Sequence, residues 1–195
     1  MNENDFWHLI DAATTIQTHP ANLSEAFEKL EELLANYERP ELESFEKLLR
    51  ENIQALFCPE IIELYIILEN DFQEQSDRVI FNPYVSADRF LYFRCWLLLQ
   101  GRDCCRAVIE NPENILDHGV DIANTWGEDL LYVSDNAYGH RHANEDRFAI
   151  RDAVSLANPE LDYDIGNYKI KSEGDHMELD RRYPQLVAAI RRLRG

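Results

Sequence analysis

Apolar residues recur along this chain at steps of three and four for most of its length, the period of a helix with one buried face. "NLSEAFEKLEELLANYERP" places Leu23, Phe27, Leu30, Leu34 and Tyr37 on one stripe, with Ser24 as the expected cap and Pro40 as the break. "ELESFEKLLRENIQALF" repeats the pattern with Leu42, Phe45, Leu49, Ile53 and Leu56. Together they predict an antiparallel helical hairpin turning at Arg39 and Pro40. Upstream, Phe6, Trp7, Ile10 and Ala13 predict a helix over 4–18, capped by Asn4 or Asp5 and stopped at His19-Pro20. Downstream, Pro59 suits the first turn of "PEIIELYIILENDF", whose inward residues are Ile61, Ile62, Tyr65 and Leu68.

The stretch "DRFLYFRCWLLLQG" differs in kind, because apolar residues surround it on nearly every side. It predicts a central buried helix over 88–100, closed by Gly101 as a left-handed cap. Residues 73–87 read as a loop with a short extended piece at Arg78–Phe81. Asp103 is the expected cap of a helix reaching Glu110, and "PENILDHG" a single turn ending at Gly119. Helices are predicted over 128–138, with Leu130, Leu131 and Tyr138 inward, and over 144–157, with Phe148, Ile150, Val154 and Leu156 inward. A short strand is expected at 167–171. A last helix opens at Pro184 and turns Leu186, Val187 and Ile190 inward. The fold class these elements predict is mainly α: a single-domain helical bundle over 1–195. It comprises acidic helices at 1–72, a central helical core at 73–157, and an irregular or β-containing segment with a basic final helix at 158–195.

Arg94 falls in the middle of the central helix, flanked on the wheel by Phe90, Leu91, Leu97 and Leu98. A buried guanidinium cannot escape by losing its proton, so it needs a partner. Asp121, Glu128, Asp129 and Asp146 are the candidate carboxylates for a forked ion pair. The alternative is an anion-binding or enzymatic pocket with Arg94 on its floor and Tyr84, Tyr138, His140 and His142 around it.

Charge narrows the function classes. The net charge is −18, with five arginines and no acid in residues 181–195. Such a body repels nucleic acid and anionic membrane, so neither is an expected partner. The terminal arginines suit the negative end of their own helix. The acidic outer faces of the first helices, with Glu28, Glu31, Glu32, Glu43 and Glu46, are the candidate surface for a basic protein. The start lacks a basic, apolar leader pattern, and the longest apolar run is too short for a bilayer. Cys58, Cys95, Cys104 and Cys105 form no CxxC pair and read as reduced thiols, which predicts a cytoplasmic chain.

Catalytic signatures are weak. "YGHRHANED" gathers His140, His142, Glu145 and Asp146, but the spacing matches no zinc signature, and Glu145 and Asp146 suit a helix N-terminus. Cys104 and Cys105 lie near a predicted helix start without a sequence-local histidine. No phosphate loop, nucleophile elbow or paired-histidine helix is present. No metal and no cofactor is expected, and enzymatic activity is the less expected outcome.

Four segments carry a family likeness: "DFWHLID", "SADRFLYFRCWLLLQGRDCCRAVIENPENI", "EDLLYVSDNAY" and "RRYPQLVAA". In that order they resemble a bacterial family of unknown function, domain of unknown function 4240. Its members show FW-x-L-I, then F-x-x-F-R-x-W-L-I-x-x-G, an A-Y-rich helix and a P-x-L close. Arg94 and Trp96 occupy its R-x-W. The chain departs from the pattern at Cys104-Cys105 and in the glycine-rich, charged region after Asn158. The resemblance implies a helical bacterial cytoplasmic domain and no established activity. The function expected is therefore a non-catalytic acidic protein-interaction module, immunity-like or regulatory. The alternatives are the Arg94 pocket and a self-associating structural domain.

Overall fold

In the computed structural model the residues described are 1–14, 23–142, 145–163 and 178–194. Helix α1 spans Glu3–Thr14 and buries Phe6, Trp7, Leu9, Ile10 and Ala13. Its cap is Asn2, whose Oδ1 accepts the amides of Asn4 and Asp5, rather than either of those residues. The predicted continuation to residue 18 lies outside the described residues. Helix α2 (Leu23–Leu34) buries Ala26, Phe27, Leu30 and Leu34, and Ser24 sits within its first turn rather than before it.

Helix α3 (Arg39–Ala55) starts through a capping box between Glu38 and Glu41, with Pro40 inside the first turn. Leu42, Phe45, Leu49 and Ile53 face inward as the spacing predicts, but Glu46 and Arg50 are buried beside them. Helix α4 (Pro59–Glu69) is buried continuously from Ile61 to Leu68, so it is as central as the helix singled out in the sequence.

Residues expected to form a loop make a β-hairpin. Strands β1 (Phe72–Gln75) and β2 (Arg78–Phe81) pair antiparallel, with Phe72 opposite Phe81 and Gln75 opposite Arg78. Ser76 supplies the positive φ of 55° that a two-residue hairpin turn requires at its first position. Pattern reading missed β1 because "FQEQ" is polar and exposed over most of its length.

Helix α5 (Ala87–Leu98) carries the apolar run, capped by Ser86 accepting from the Arg89 amide. Gly101 adopts the expected positive φ of 89°. Its ψ of 165° lies outside the left-handed helical region, and Gly101, not Asp103, is the N-cap of α6 (Arg102–Glu110). A 3-10 turn over Pro112–His118 ends at left-handed Gly119, as predicted.

The predicted 128–138 helix is split into a 3-10 turn, Glu128–Tyr132, and helix α7, Val133–Gly139. Helix α8 begins only at Ala149 and runs to Ala157. Glu145 and Asp146 therefore precede its first turn instead of occupying it. Phe148 and Leu156 are exposed rather than inward. A 3-10 turn at Pro159–Leu161, short helix α9 (Leu179–Arg182) and helix α10 (Pro184–Arg194) follow. The expected strand at 167–171 lies outside the described residues.

One hydrophobic cluster joins Phe6 to Ile190, so the mainly α, single-domain prediction holds. The expected antiparallel hairpin of α2 and α3 does not pack as a pair: α2 lies mainly on α1 and α7, and α3 mainly on α8 and α7, because their apolar faces meet these other helices rather than each other. Helix α5 lies against α3, α4, α6 and the Glu128 turn, and α10 closes over α4. Among the described residues no helix is long and apolar enough to cross a membrane.

The Glu128 turn approaches α5 so closely that a Cβ on Gly127 would lie 2.2 Å from the Trp96 amide nitrogen. Gly127→Ala should therefore cost about 2–3 kcal/mol, because rigid backbone must move. Gly139→Ala, whose Cβ meets nothing within 4 Å, should change stability by less than about 1 kcal/mol. Urea unfolding midpoints of the two variants check the contrast; equal midpoints would disprove it.

Candidate functional site

Arg94 is 7% exposed and faces the end of α3. Its Nη1 donates to the Ile53 carbonyl at 2.9 Å and its Nε to the Phe90 carbonyl at 3.3 Å. The guanidinium lies over the rings of Phe90 and Phe57, at 4.8 and 5.2 Å. Ile53 is in the last turn of α3, where carbonyls lack helical partners and carry the negative end of the dipole. These contacts make Arg94 a C-terminal cap supplied by another helix.

The carboxylates considered for Arg94 work elsewhere. Asp121 Oδ1 accepts the Ala123 amide and Asp146 Oδ1 the Phe148 amide. Glu128 faces Tyr92, whose hydroxyl is pushed up to about 12 by burial and then by that carboxylate. Asp129 is exposed.

The principal buried charge lies one helix away, where α3, α7 and α8 meet. Glu46 is fully buried, which removes it from the outer acidic face where its position in the sequence puts it. Its carboxylate accepts Arg50 Nε at 2.8 Å, Ser134 Oγ at 2.8 Å and the Tyr163 hydroxyl at 3.3 Å. Arg50 also donates to Ser155 Oγ at 2.8 Å and to the Arg151 carbonyl at 3.2 Å, and lies 4.7 Å over the Tyr163 ring. The i,i+4 spacing of Glu46 and Arg50 forms the pair within one helix, and residues 88 to 117 positions away complete it.

Beside it, Asp135 caps α8 from α7. Its Oδ1 accepts the amides of Ile150 and Arg151 at 2.9 and 3.4 Å. Burial pushes its carboxyl up to about 6 against the pull of those two amides, and Glu46 adds to the rise. Arg151 stacks over Tyr132 at 5.0 Å. No helical period marks Ser134 and Asp135 as interior, so this cluster was not readable from the chain.

The candidate pocket residues are only partly assembled. Tyr138 donates to Glu145 at 2.7 Å and stacks on His142, with centroids 4.0 Å apart. His142 Nδ1 lies 3.1 Å from the Tyr138 carbonyl. His140 is exposed, and Tyr84 stands 70% exposed in the connection before α5. Arg94 takes its contacts from Ile53, Phe57 and Phe90, a different part of the fold. Among the described residues no group of three or more His, Cys, Asp or Glu side chains could hold a metal. Burial pushes the Cys95 and Cys104 thiols up to about 12 and Cys105 higher still, so all three are protonated at neutral pH.

The acidic surface is spent unevenly. Glu31 accepts from Asn136 at 2.7 Å, Glu32 from Lys29 at 2.9 Å and Glu43 from Arg39 at 2.8 Å, while Glu28 is exposed on α2. A second acidic face carries aromatic rings. Trp126 is 46% exposed and packs on Tyr92, with centroids 4.8 Å apart. Glu69 is tied to this loop by the Thr125 hydroxyl, and Asp88 and Glu128 both act on Tyr92. Tyr84 is exposed, and Tyr84 and Arg89 both lie within electrostatic reach of Tyr65.

A family model described as "Protein of unknown function (DUF4240)" matches residues 1–140. No curated protein and no solved structure matches the chain.

Two predictions test the buried cluster. Glu46→Leu should cost about 3–5 kcal/mol by stranding Arg50, and adding Arg50→Met should recover part of that loss. A double variant no more stable than the single would show that the pair is not coupled. Asp135 titrates near 6 when folded, against 3.8 for a free side chain. The folded state holds this proton more tightly, so its stabilising contribution is full below about pH 4 and lost as pH rises through 6. Asp135→Asn should remove a slope worth up to about 3 kcal/mol across that window. Urea unfolding at pH 4 and pH 8 measures it; parallel profiles of variant and wild type would rule it out.

Proposed function

We propose, given that the chain belongs to the DUF4240 family and that its description carries no activity, that this protein is a non-catalytic binding module whose acidic exterior holds a basic protein. The role is regulatory or immunity-like, and the working compartment is the cytoplasm. Three of the four cysteines are buried and protonated, and all four are free, which favours a reducing compartment.

The observation that carries the reading is the face around Trp126. An indole 46% exposed, braced by Tyr92 and rimmed by Glu69, Asp88 and Glu128, combines an aromatic anchor with carboxylates. Lys and Arg side chains suit such a face twice over. Their charge is drawn by the carboxylates and their planar or apolar parts stack on the ring. Glu28 and its neighbours on α2 add long-range attraction that speeds encounter without setting the bound geometry.

The Arg94 pocket gains less support. That guanidinium already serves a helix end and two aromatic rings, and an incoming anion would have to displace those contacts. Self-association through a large apolar patch is also less favoured, because among the described residues exposed Ile109, Leu156 and Leu193 lie on three different helices, α6, α8 and α10, and exposed Phe148 stands at the opposite end of α8 from Leu156.

Calorimetric titration with a Lys/Arg-rich peptide tests the binding face. Trp126→Ala should weaken affinity about tenfold, whereas Glu28→Gln should change it by less than about twofold. Raising salt should weaken the wild-type interaction. Equal affinity for Trp126→Ala and wild type would defeat the assignment of this face.

A further inference from the structure

Two buried polar atoms of complementary kind lie in the cluster where α3, α7 and α8 meet, and neither has a partner among the described residues. Asp135 is 5% exposed; its Oδ1 caps α8, but its Oδ2 accepts from no group. Arg151 Nε is buried and donates to none. Buried polar atoms left unpaired are rare in native interiors, and each carries a desolvation cost. The Arg151 guanidinium lies instead among rings, 5.0 Å over Tyr132, 5.6 Å over Phe148 and 5.8 Å over Tyr163.

The charged groups around Asp135 leave one cation to answer it. On α3, Arg50 is committed to Glu46, Ser155 and the Arg151 carbonyl, and Glu46 repels the Asp135 carboxylate. Ser134 on α7 and Tyr163 beyond α8 both give their hydroxyl protons to Glu46. Glu31 of α2 is turned to Asn136, and Glu128 acts on Tyr92. Asp129 and, on α8, Asp152 are exposed. Arg151 remains, and its backbone amide already lies 3.4 Å from Asp135 Oδ1. A turn of its side chain therefore brings the guanidinium to the other oxygen of the same carboxylate while α8 stays in place. A neutral carboxyl tolerates an unpaired Oδ2; an anion beside Glu46 and out of water does not.

We propose that Asp135 and Arg151 form a proton-controlled latch: while Asp135 is protonated, Arg151 rests on its three rings, and when the carboxyl ionises, the guanidinium swings onto Oδ2. Ionisation keeps the α8 cap, because an anion suits a helix N-terminus. Arg151 leaves Tyr163, which retains its contacts with Glu46 and Arg50. The proton thus sets how firmly the chain is held at Tyr163. The sensing carboxyl lies within the residues the family model matches, and the responding cation lies beyond them. The latch depends on neither the Trp126 face nor the protein-binding role.

Nuclear Overhauser contacts from the Arg151 side chain to the Tyr132 and Tyr163 rings test it. Burial raises the Asp135 carboxyl to about 6, so the swing is expected at or just below about pH 6. The contacts should be present at pH 4 and lost at pH 8, and in Asp135→Asn they should persist at both. Arg151→Gln removes the cation, so the Asp135 carboxyl, followed by its ¹³C shift, should hold its proton about tenfold more tightly, a rise of about one pH unit. Ring contacts unchanged between pH 4 and pH 8 overturn the latch, as does their loss at pH 8 in Asp135→Asn. Loss of hydrogen-exchange protection at the Ile150 and Arg151 amides above pH 6 overturns it too, because α8 would then be leaving in place of the Arg151 side chain. If Asp135→Asn does not fold, Arg151→Gln at its half-buried site still decides: an unshifted Asp135 titration overturns the proposal.

Discussion

Helices α1 through α8 end without a basic residue in their last turn. The negative ends of these helices must find cations elsewhere, in a chain with 19 basic residues against 37 acidic ones. Much of the tertiary structure answers that constraint. Arg94 on α5 reaches Ile53 at the end of α3. Arg194 on α10 reaches the Asn70 and Leu68 carbonyls at the end of α4. Arg141 binds the Tyr37 carbonyl just past α2. Each bond joins elements distant in sequence, so closing a helix and assembling the domain are one event.

The basic C-terminus shows the same economy. Its arginines do not simply serve their own helix dipole. Arg182 pairs with Glu63 at 2.6 Å and Arg191 with Glu74 at 2.7 Å, and Arg78 forks onto Asp180 at 2.8 Å through both nitrogens. That fork holds the Asp180 carboxyl at about 2. These pairs fasten α9 and α10 over α4 and the hairpin. The surface pairs add little stability individually, but they fix how the last helices sit. The chain as a whole keeps a net charge of −18.

The family match ends at residue 140, yet the domain does not. Ile150, Leu179, Leu186, Val187 and Ile190 enter the same hydrophobic cluster as Phe6 and Leu30. Ser155 and Tyr163 satisfy Arg50 and Glu46, which would otherwise be a buried pair short of partners. Residues beyond the matched segment thus complete a polar centre whose core lies within it.

Period and composition sufficed for the helical class, for the inward faces of α1 to α3 and for the buried character of α5, because apolar spacing reports directly which side of a helix leaves water. They also flagged Arg94 as a buried cation in need of a partner. Three decisions belonged to the tertiary structure alone. Arg94 found the end of a helix because α3 presents unpaired carbonyls just where α5 crosses it. Glu46 went inside because Arg50, Ser134 and Tyr163 converge on it, although its neighbours in sequence place it on a wet face. Trp126 stays 46% exposed against Tyr92, while the next residue, Gly127, packs directly on the α5 backbone. A linear pattern states which residues prefer burial; which polar groups are buried depends on partners that meet only after the chain has closed.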